Sequence, residues 1–376
     1  MIWATFDYEA KRIRRIYASA RYPSKQKGNV FYDSEITPNL KFAEELPKEL
    51  ECLHAVVAFR PSHILLSRDI LGGKPLYFDR SGISSFRSSL TNPEEVMPGE
   101  VVKLSYEGEI LQRKKIAFED VMKKEQRGLE EIEEDIEKEL RSFNPENCCI
   151  AFSGGIDSAF LSSIYDLPLI SITASDSEEE WIRDVAKKLS RDIEILRISE
   201  EEIVKVCDEV SRVIEDKSFL QLSIALPVHF AMKFAKELGF ESIIFGQGAD
   251  ELFGGYKRYE RLSGNELEKA LFEDLKSIGP KNLVRDTKLS YFNEIELVLP
   301  YLRWGVVRSC LSIPPAMKVR KSEGVVVRKY FLRKMAEKYL PEEVVWREKK
   351  AIQYSTGVAK ILKKFYFSRT GKAPGF

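Results

Sequence analysis

Net charge is the first thing missing from this chain: Lys plus Arg and Asp plus Glu each number 59 in 376 residues, so the formal charge is zero. Without a global field there is no long-range preference for nucleic acid or for an anionic membrane, and any anion site must be local. The five cysteines (Cys52, Cys148, Cys149, Cys207, Cys310) show no CxxC and no Cys/His ligand spacing, so reduced thiols of a cytoplasmic protein are expected. No run approaches the roughly 20 apolar residues of a membrane span. The opening MIWATFDYEAKRIRRIY lacks the apolar core and small-residue cleavage site of a signal peptide, which again points to the cytosol. Neither GxxxxGK[ST] nor GxGxxG occurs, which argues against a γ-phosphate-cleaving P-loop and against a dinucleotide fold. Internal repeats and low-complexity segments are absent as well.

What is present suffices for two cores: 44% of residues are hydrophobic, and the length exceeds that of a usual single domain. Residues 1–118 read as short apolar segments broken by turns (HAVVAF, HILLSRD, KPLYFD, EVVKLSYEGEILQRK), which predicts a mainly β domain. The charged stretch Glu119 to Arg141, with Val121, Leu129, Ile132, Ile136 and Leu140 at helical spacings, predicts an amphipathic connector helix within 119–144. From residue 145 to 376 strands and helices alternate. CCIAF, PLISITAS, IEILRIS and ESIIFG read as strands separated by helical patterns, which predicts an α/β domain built on a parallel sheet. Ligands of such sheets bind beyond the carboxyl ends of the strands, so the informative loops are SGGIDS, after the first strand, and GQGADE, after the fourth.

Ser153-Gly154-Gly155-Ile156-Asp157-Ser158 has the properties of a phosphate cradle. Gly154 and Gly155 let backbone approach a ligand closely, the N–H groups of the following helix point at an anion, and Ser153 and Ser158 add hydroxyls. Asp157 would repel phosphate unless a divalent cation lies between them, and Mg²⁺ is the usual bridge. A tight turn followed by an aspartate at a helix start is the bland alternative.

SGGIDS resembles the SGGxDS signature of the PP-loop ATP pyrophosphatases. Gly246-Gln247-Gly248-Ala249-Asp250-Glu251-Leu252-Phe253-Gly254-Gly255-Tyr256 resembles the GEGxDELFGGY segment of the asparagine synthetase family, and lies some ninety residues beyond SGGIDS as in that family. The resemblance implies ATP and Mg²⁺ as cofactors, with Asp157 and Asp250 on the metal and pyrophosphate. It also implies Phe245 and Gly246 beside AMP, and Ser171, Ile172 and Thr173 at the adenine. Lys349, in WREK, matches the family's catalytic lysine, with Lys350 the neighbouring alternative; Gln247 and Glu251 fall among its catalytic positions. Two departures stand out. Gln247 replaces a glutamate proposed to deprotonate the incoming amine, and an amide cannot accept a proton near neutral pH. Arg303, in PYLR, replaces the aspartate of PFLD.

In the first domain, Leu65 to Phe78 (LLSRDILGGKPLYF) resembles the LARDxxGxKPLYY segment of the glutaminase domain that precedes the synthetase domain in this family. That domain uses an amino-terminal cysteine as nucleophile. Here residue 2 is Ile2 and the first cysteine is Cys52, so the resemblance implies a reduced glutaminase-like scaffold without glutamine hydrolysis. The expected activity is an ATP-dependent amide-forming ligase that adenylates a carboxylate, with aspartate the favoured acid, and transfers ammonia. Two rivals remain: an adenylating synthetase with another amine nucleophile, as in β-lactam synthetases, and a nucleotide-binding regulator without turnover. Partners would be small-molecule substrates, with no nucleic acid and no membrane; a homodimer is left open.

Overall fold

The structure is a computed structural model that describes residues 1–322, 324–347 and 356–370, with side chains followed as far as 365. Its contacts divide the chain into two units, Met1–Lys123 with Lys276–Glu296, and Lys124–Leu275 with Leu297–Phe376. The segment Lys276–Glu296, expected within the synthetase half, therefore belongs with the first unit. Specific polar contacts hold it there: the Thr287 hydroxyl donates to the Gly73 carbonyl at 3.0 Å and the Tyr291 hydroxyl to Asp33 at 2.6 Å.

The first unit is mainly β, as its alternating segments predict. Two antiparallel sheets form it, one around Ile2–Glu9 and Gly82–Ser84, the other around Ala55–Phe59 and Ile64–Arg68. The period of two along each strand sorts side chains onto opposite faces. Ala55 and Val57 join Ile2, Ala4, Phe78 and Ile83 in one core, while Val56 and Ala58 pack with Leu46, Leu50 and Val101 in another. The RDILGGKP turn is held by Asp69, which accepts from the backbone N–H groups of His54, Gly73 and Lys74. Arg68 is fully buried and donates to Glu95 and to the Val96 and Gly72 carbonyls. The motif's charged residues thus build the turn itself.

The second unit has a parallel sheet at its centre. Its strands run Ile193–Arg197, Leu169–Thr173, Cys148–Ala151, Ser242–Ile244, so the third, second, first and fourth lie side by side. The order reverses at the first strand, and the SGGIDS and GQGADE loops leave neighbouring strands there. Cys148 and Cys149 are buried in the sheet, and all five cysteines are free and buried. The expected helix across Glu119 to Arg141 is two pieces, Phe118–Val121 and Leu129–Arg141. Gly128 separates them in extended conformation (φ −69°, ψ 149°) as the N-cap of the second piece, a placement suited to a residue that is a poor helix former in an interior. Arg127, just before it, pairs with Glu131 at 3.0 Å and with Asp135.

Candidate active site

At the end of the Cys148–Ala151 strand the chain turns through Gly154 with φ +66°, a left-handed conformation that glycine adopts without cost. A Cβ there would sit 2.7 Å from Trp181 Nε1, which instead donates to the Gly154 carbonyl at 3.1 Å. The Arg347 guanidinium lies 3.7 Å from the centre of the Trp181 ring. Gly155 is the N-cap of the helix Ile156–Ile164 and no side chain caps that helix start, so its first N–H groups remain available to an anion. Ser158 differs from its expected part: its buried hydroxyl accepts from the Ser153 N–H at 3.1 Å and donates to the Gly155 carbonyl at 3.2 Å. It braces the loop from behind, while the Ser153 hydroxyl accepts from Gly155 N–H at 3.3 Å.

Asp157 and Asp250 meet at a third residue, the ammonium of Lys329. Its Nζ pairs with Asp157, and with Asp250 at 2.8 Å; the lysine side chain is 1% exposed and the two carboxylates 24% and 23%. Burial alone would lower the Lys329 pKa, but the two carboxylates outweigh it and hold the group above its ordinary value. Glycines permit this approach. A Cβ on Gly246 would lie 3.0 Å from Asp157 Cβ, and one on Gly255 would lie 1.8 Å from Asp250 Oδ1 and 2.3 Å from Lys329 Cε. Tyr301 is fully buried and donates to the Asp157 carbonyl at 2.9 Å. Glu251 is buried and accepts from the Tyr256 hydroxyl at 2.5 Å.

Two aspartates against one ammonium leave an excess negative charge made of hard oxygens. Mg²⁺ suits such a set, since it is held by one or two carboxylates plus substrate phosphates and retains waters. An all-protein cage is not what the residues offer: among the described residues no group of three or more His, Cys, Asp or Glu is arranged for a metal. Asp157 and Asp250 therefore fit a magnesium ion that arrives with a polyphosphate.

The asparagine synthase family model matches residues 127–269 and 262–370, spanning both loops and Lys329. The chain belongs to the asparagine synthase family. A protein of Methanocaldococcus jannaschii named as a glutamine-hydrolyzing asparagine synthetase is 29% identical over 411 aligned positions, covering 90% of this chain and 75% of that one. A Dictyostelium discoideum protein of the same name is 25% identical, over 63% of this chain and 48% of its own. A solved NH3-dependent NAD synthetase from Campylobacter jejuni covers 41% of this chain and 77% of its own, at TM-score 0.25 and 16% identity. Membership implies an ATP-dependent ligase. Among the described residues no single helix is long and apolar enough to cross a membrane.

The remaining positions expected from the asparagine synthase motifs are distributed as follows. Ser171, Ile172 and Thr173 end the Leu169–Thr173 strand beside the loop's strand, all three buried. Phe245 follows the Ser242–Ile244 strand and its N–H donates to the Val298 carbonyl at 3.1 Å. Gln247 is half-buried at the next turn. Lys349 and Lys350 lie outside the described residues. Arg303 has a structural partner: its guanidinium pairs with Glu139 at 3.2 Å and stands 4.8 Å from the Phe143 ring centre. An aspartate there would face Glu139 with like charge. Sequence reasoning missed Lys329, Tyr301 and Trp181. Each acts on Asp157 or its loop from far along the chain, and the only signal available was motif matching through the KYFLRK helix that Lys329 precedes.

Proposed function

We propose that this chain is an ATP-dependent ligase that adenylates the side-chain carboxylate of aspartate and transfers ammonia to it, releasing AMP and pyrophosphate. The observation that supports it best is the convergence of Asp157, Asp250 and Lys329 at the ends of two adjacent parallel strands, beside an uncapped helix start. In this reading the N–H groups after Gly155 and the Lys329 ammonium hold the triphosphate tail. A substrate carboxylate oxygen then attacks the α-phosphorus as its bond to the bridging oxygen breaks and pyrophosphate departs. Ammonia adds to the acyl carbon, loses a proton, and AMP leaves with the electrons of the acyl–oxygen bond. Magnesium held by Asp157 and Asp250 would offset the charge of the polyphosphate. Lys329 offsets one of the two carboxylate charges before nucleotide arrives. Lys349 is assigned by motif to the developing oxyanion, and Ser171, Ile172, Thr173, Phe245 and Gly246 to the nucleotide.

Ammonia is favoured over glutamine as donor in that Cys52, in the glutaminase-like unit, is buried with its thiol pushed up to about 12, chiefly by burial. A thiol so held supplies almost no thiolate. Gln247 supports a second reading, in which the nucleophile is another amine that needs no carboxylate base at that position. Pure protein with MgATP, ammonium or glutamine, and a panel of amino acids separates these, with pyrophosphate and the product both measured. Aspartate with ammonium reacts and glutamine fails; Asp157→Asn abolishes turnover. Pyrophosphate formed only with an amino-substituted acid and no ammonium favours the second reading, and none with any acid leaves a nucleotide-binding regulator.

A further inference from the structure

The helix Ala249–Phe253 also borders a cavity of about 70 Å³ whose lining includes Glu251 but not Asp157, Asp250 or Lys329. At roughly 10–15 Å³ per water it has room for about five, hence for a ligand of about that many heavy atoms. Leu252, Leu271, Leu275, Leu311 and Ile313 supply apolar wall. Two cations line it as well, Lys124 and Lys318. Lys318 lines the cavity and is 5% exposed, yet no described residue accepts a hydrogen bond from it or pairs with it; Cys310, Glu268 and Lys124 act on it only through space.

The other ionised groups at the wall already have partners. Glu251 accepts from the Tyr256 hydroxyl, and Lys124 pairs with Glu268 at 2.5 Å, where both remain about half exposed (51% and 42%). An ammonium this shielded, with no acceptor among the described residues, gives up part of its hydration without a replacement partner. Burial pushes Lys318 down to about 8, so it is still mostly charged at neutral pH. The group needs one acceptor of one negative charge. A dianion would meet the Glu251 and Glu268 carboxylates without further donors, and an anion lacking an apolar part would leave the leucine wall uncovered.

We propose that this cavity binds a short-chain monocarboxylate, its carboxylate on the Lys318 ammonium and its alkyl chain against Leu252, Leu271 and Leu275. The site is separate from the nucleotide reading, and its test uses no ATP. Calorimetric titration of the full chain with acetate, propionate, butyrate, hexanoate and inorganic phosphate reads it directly. Saturable binding with a Kd of order millimolar is expected for so few atoms, with propionate and butyrate ahead of acetate, and with hexanoate and phosphate excluded. Lys318→Met, confirmed folded by circular dichroism, weakens propionate binding about tenfold or more through loss of the charged hydrogen bond. Leu275→Trp fills the cavity and removes binding while leaving Lys318 in place. Absence of saturable heat with every carboxylate overturns the proposal, as does unchanged binding by Lys318→Met or phosphate binding tighter than propionate.

Discussion

Replacing Lys329 by Met removes the ammonium that pairs with both Asp157 and Asp250. Breaking a buried pair by deleting one partner costs about 3–5 kcal/mol. The low end, about 3 kcal/mol, applies here because both carboxylates keep roughly a quarter of their surface in water (24% and 23%) and can rehydrate. Backbone strain does not enter: Lys329 has φ 55°, and Met occupies that left-handed conformation at the same cost. For a unit of this size, at about 2–4 °C per kcal/mol, the melting temperature falls by about 6–12 °C. Urea unfolding followed by tryptophan fluorescence measures the loss, and a second arm adds magnesium chloride without nucleotide. In the wild type Lys329 already offsets one of the two carboxylate charges and magnesium without nucleotide changes little. In Lys329→Met the exposed charge draws the divalent ion, and added magnesium restores part of the lost stability. A loss under about 1 kcal/mol together with no response to magnesium would refute the claim that this ammonium holds the two loops together.

Four further outcomes follow from the same geometry. Gly255→Ala drives a methyl into Asp250 Oδ1 (1.8 Å) and Lys329 Cε (2.3 Å), and overpacking of this kind costs about 1–3 kcal/mol. Pyrophosphate release should fall with stability, whereas Gly128→Ala, whose Cβ meets nothing within 4 Å, should leave both near wild type. Burial lowers Lys318 from 10.5 to about 8, so between those pH values the unfolded chain holds a proton that the folded chain has released. Stability therefore rises with pH across that window, by about 3 kcal/mol in all, and Lys318→Met flattens the rise in chemical-denaturation curves. All five cysteines are buried, and burial holds the thiols of Cys52 and Cys310 near 12; native protein should resist a thiol reagent at pH 8 that titrates all five after unfolding. Arg303→Ala should cost about 1 kcal/mol by removing the Glu139 pair and the Phe143 contact, and Glu139→Ala in that background should add little.

Much of the second unit was legible because its information is local. The CCIAF, PLISITAS, IEILRIS and ESIIFG strands each carry their own apolar run, and alternation with helices implies a parallel sheet with its loops gathered at one end. That SGGIDS and GQGADE leave neighbouring strands follows from the strand order, which the sheet decides. The helix across 119–141 was misread because apolar spacing continues through Val121 and Leu129 while the backbone leaves the helix at Met122 and re-enters one only after Gly128. Lys276–Glu296 lies within the stretch that the asparagine synthase model matches, yet its contacts, among them those with Asp33 and Gly73, group it with the first unit, which a helix pattern alone does not reveal.

The sequence by itself determined which residue types could carry phosphate chemistry and on which loops they stand, because turns and strand periodicity are short-range properties of the backbone. Only the tertiary structure decided what faces them. Lys329 lies 172 residues from Asp157, Tyr301 donates to that same residue's carbonyl across 144, and Lys318 lines a cavity whose walls come from several distant segments. An ion pair or a buried, unmatched charge is a property of position in space, and no pattern along the chain encodes which distant side chain will come to fill it.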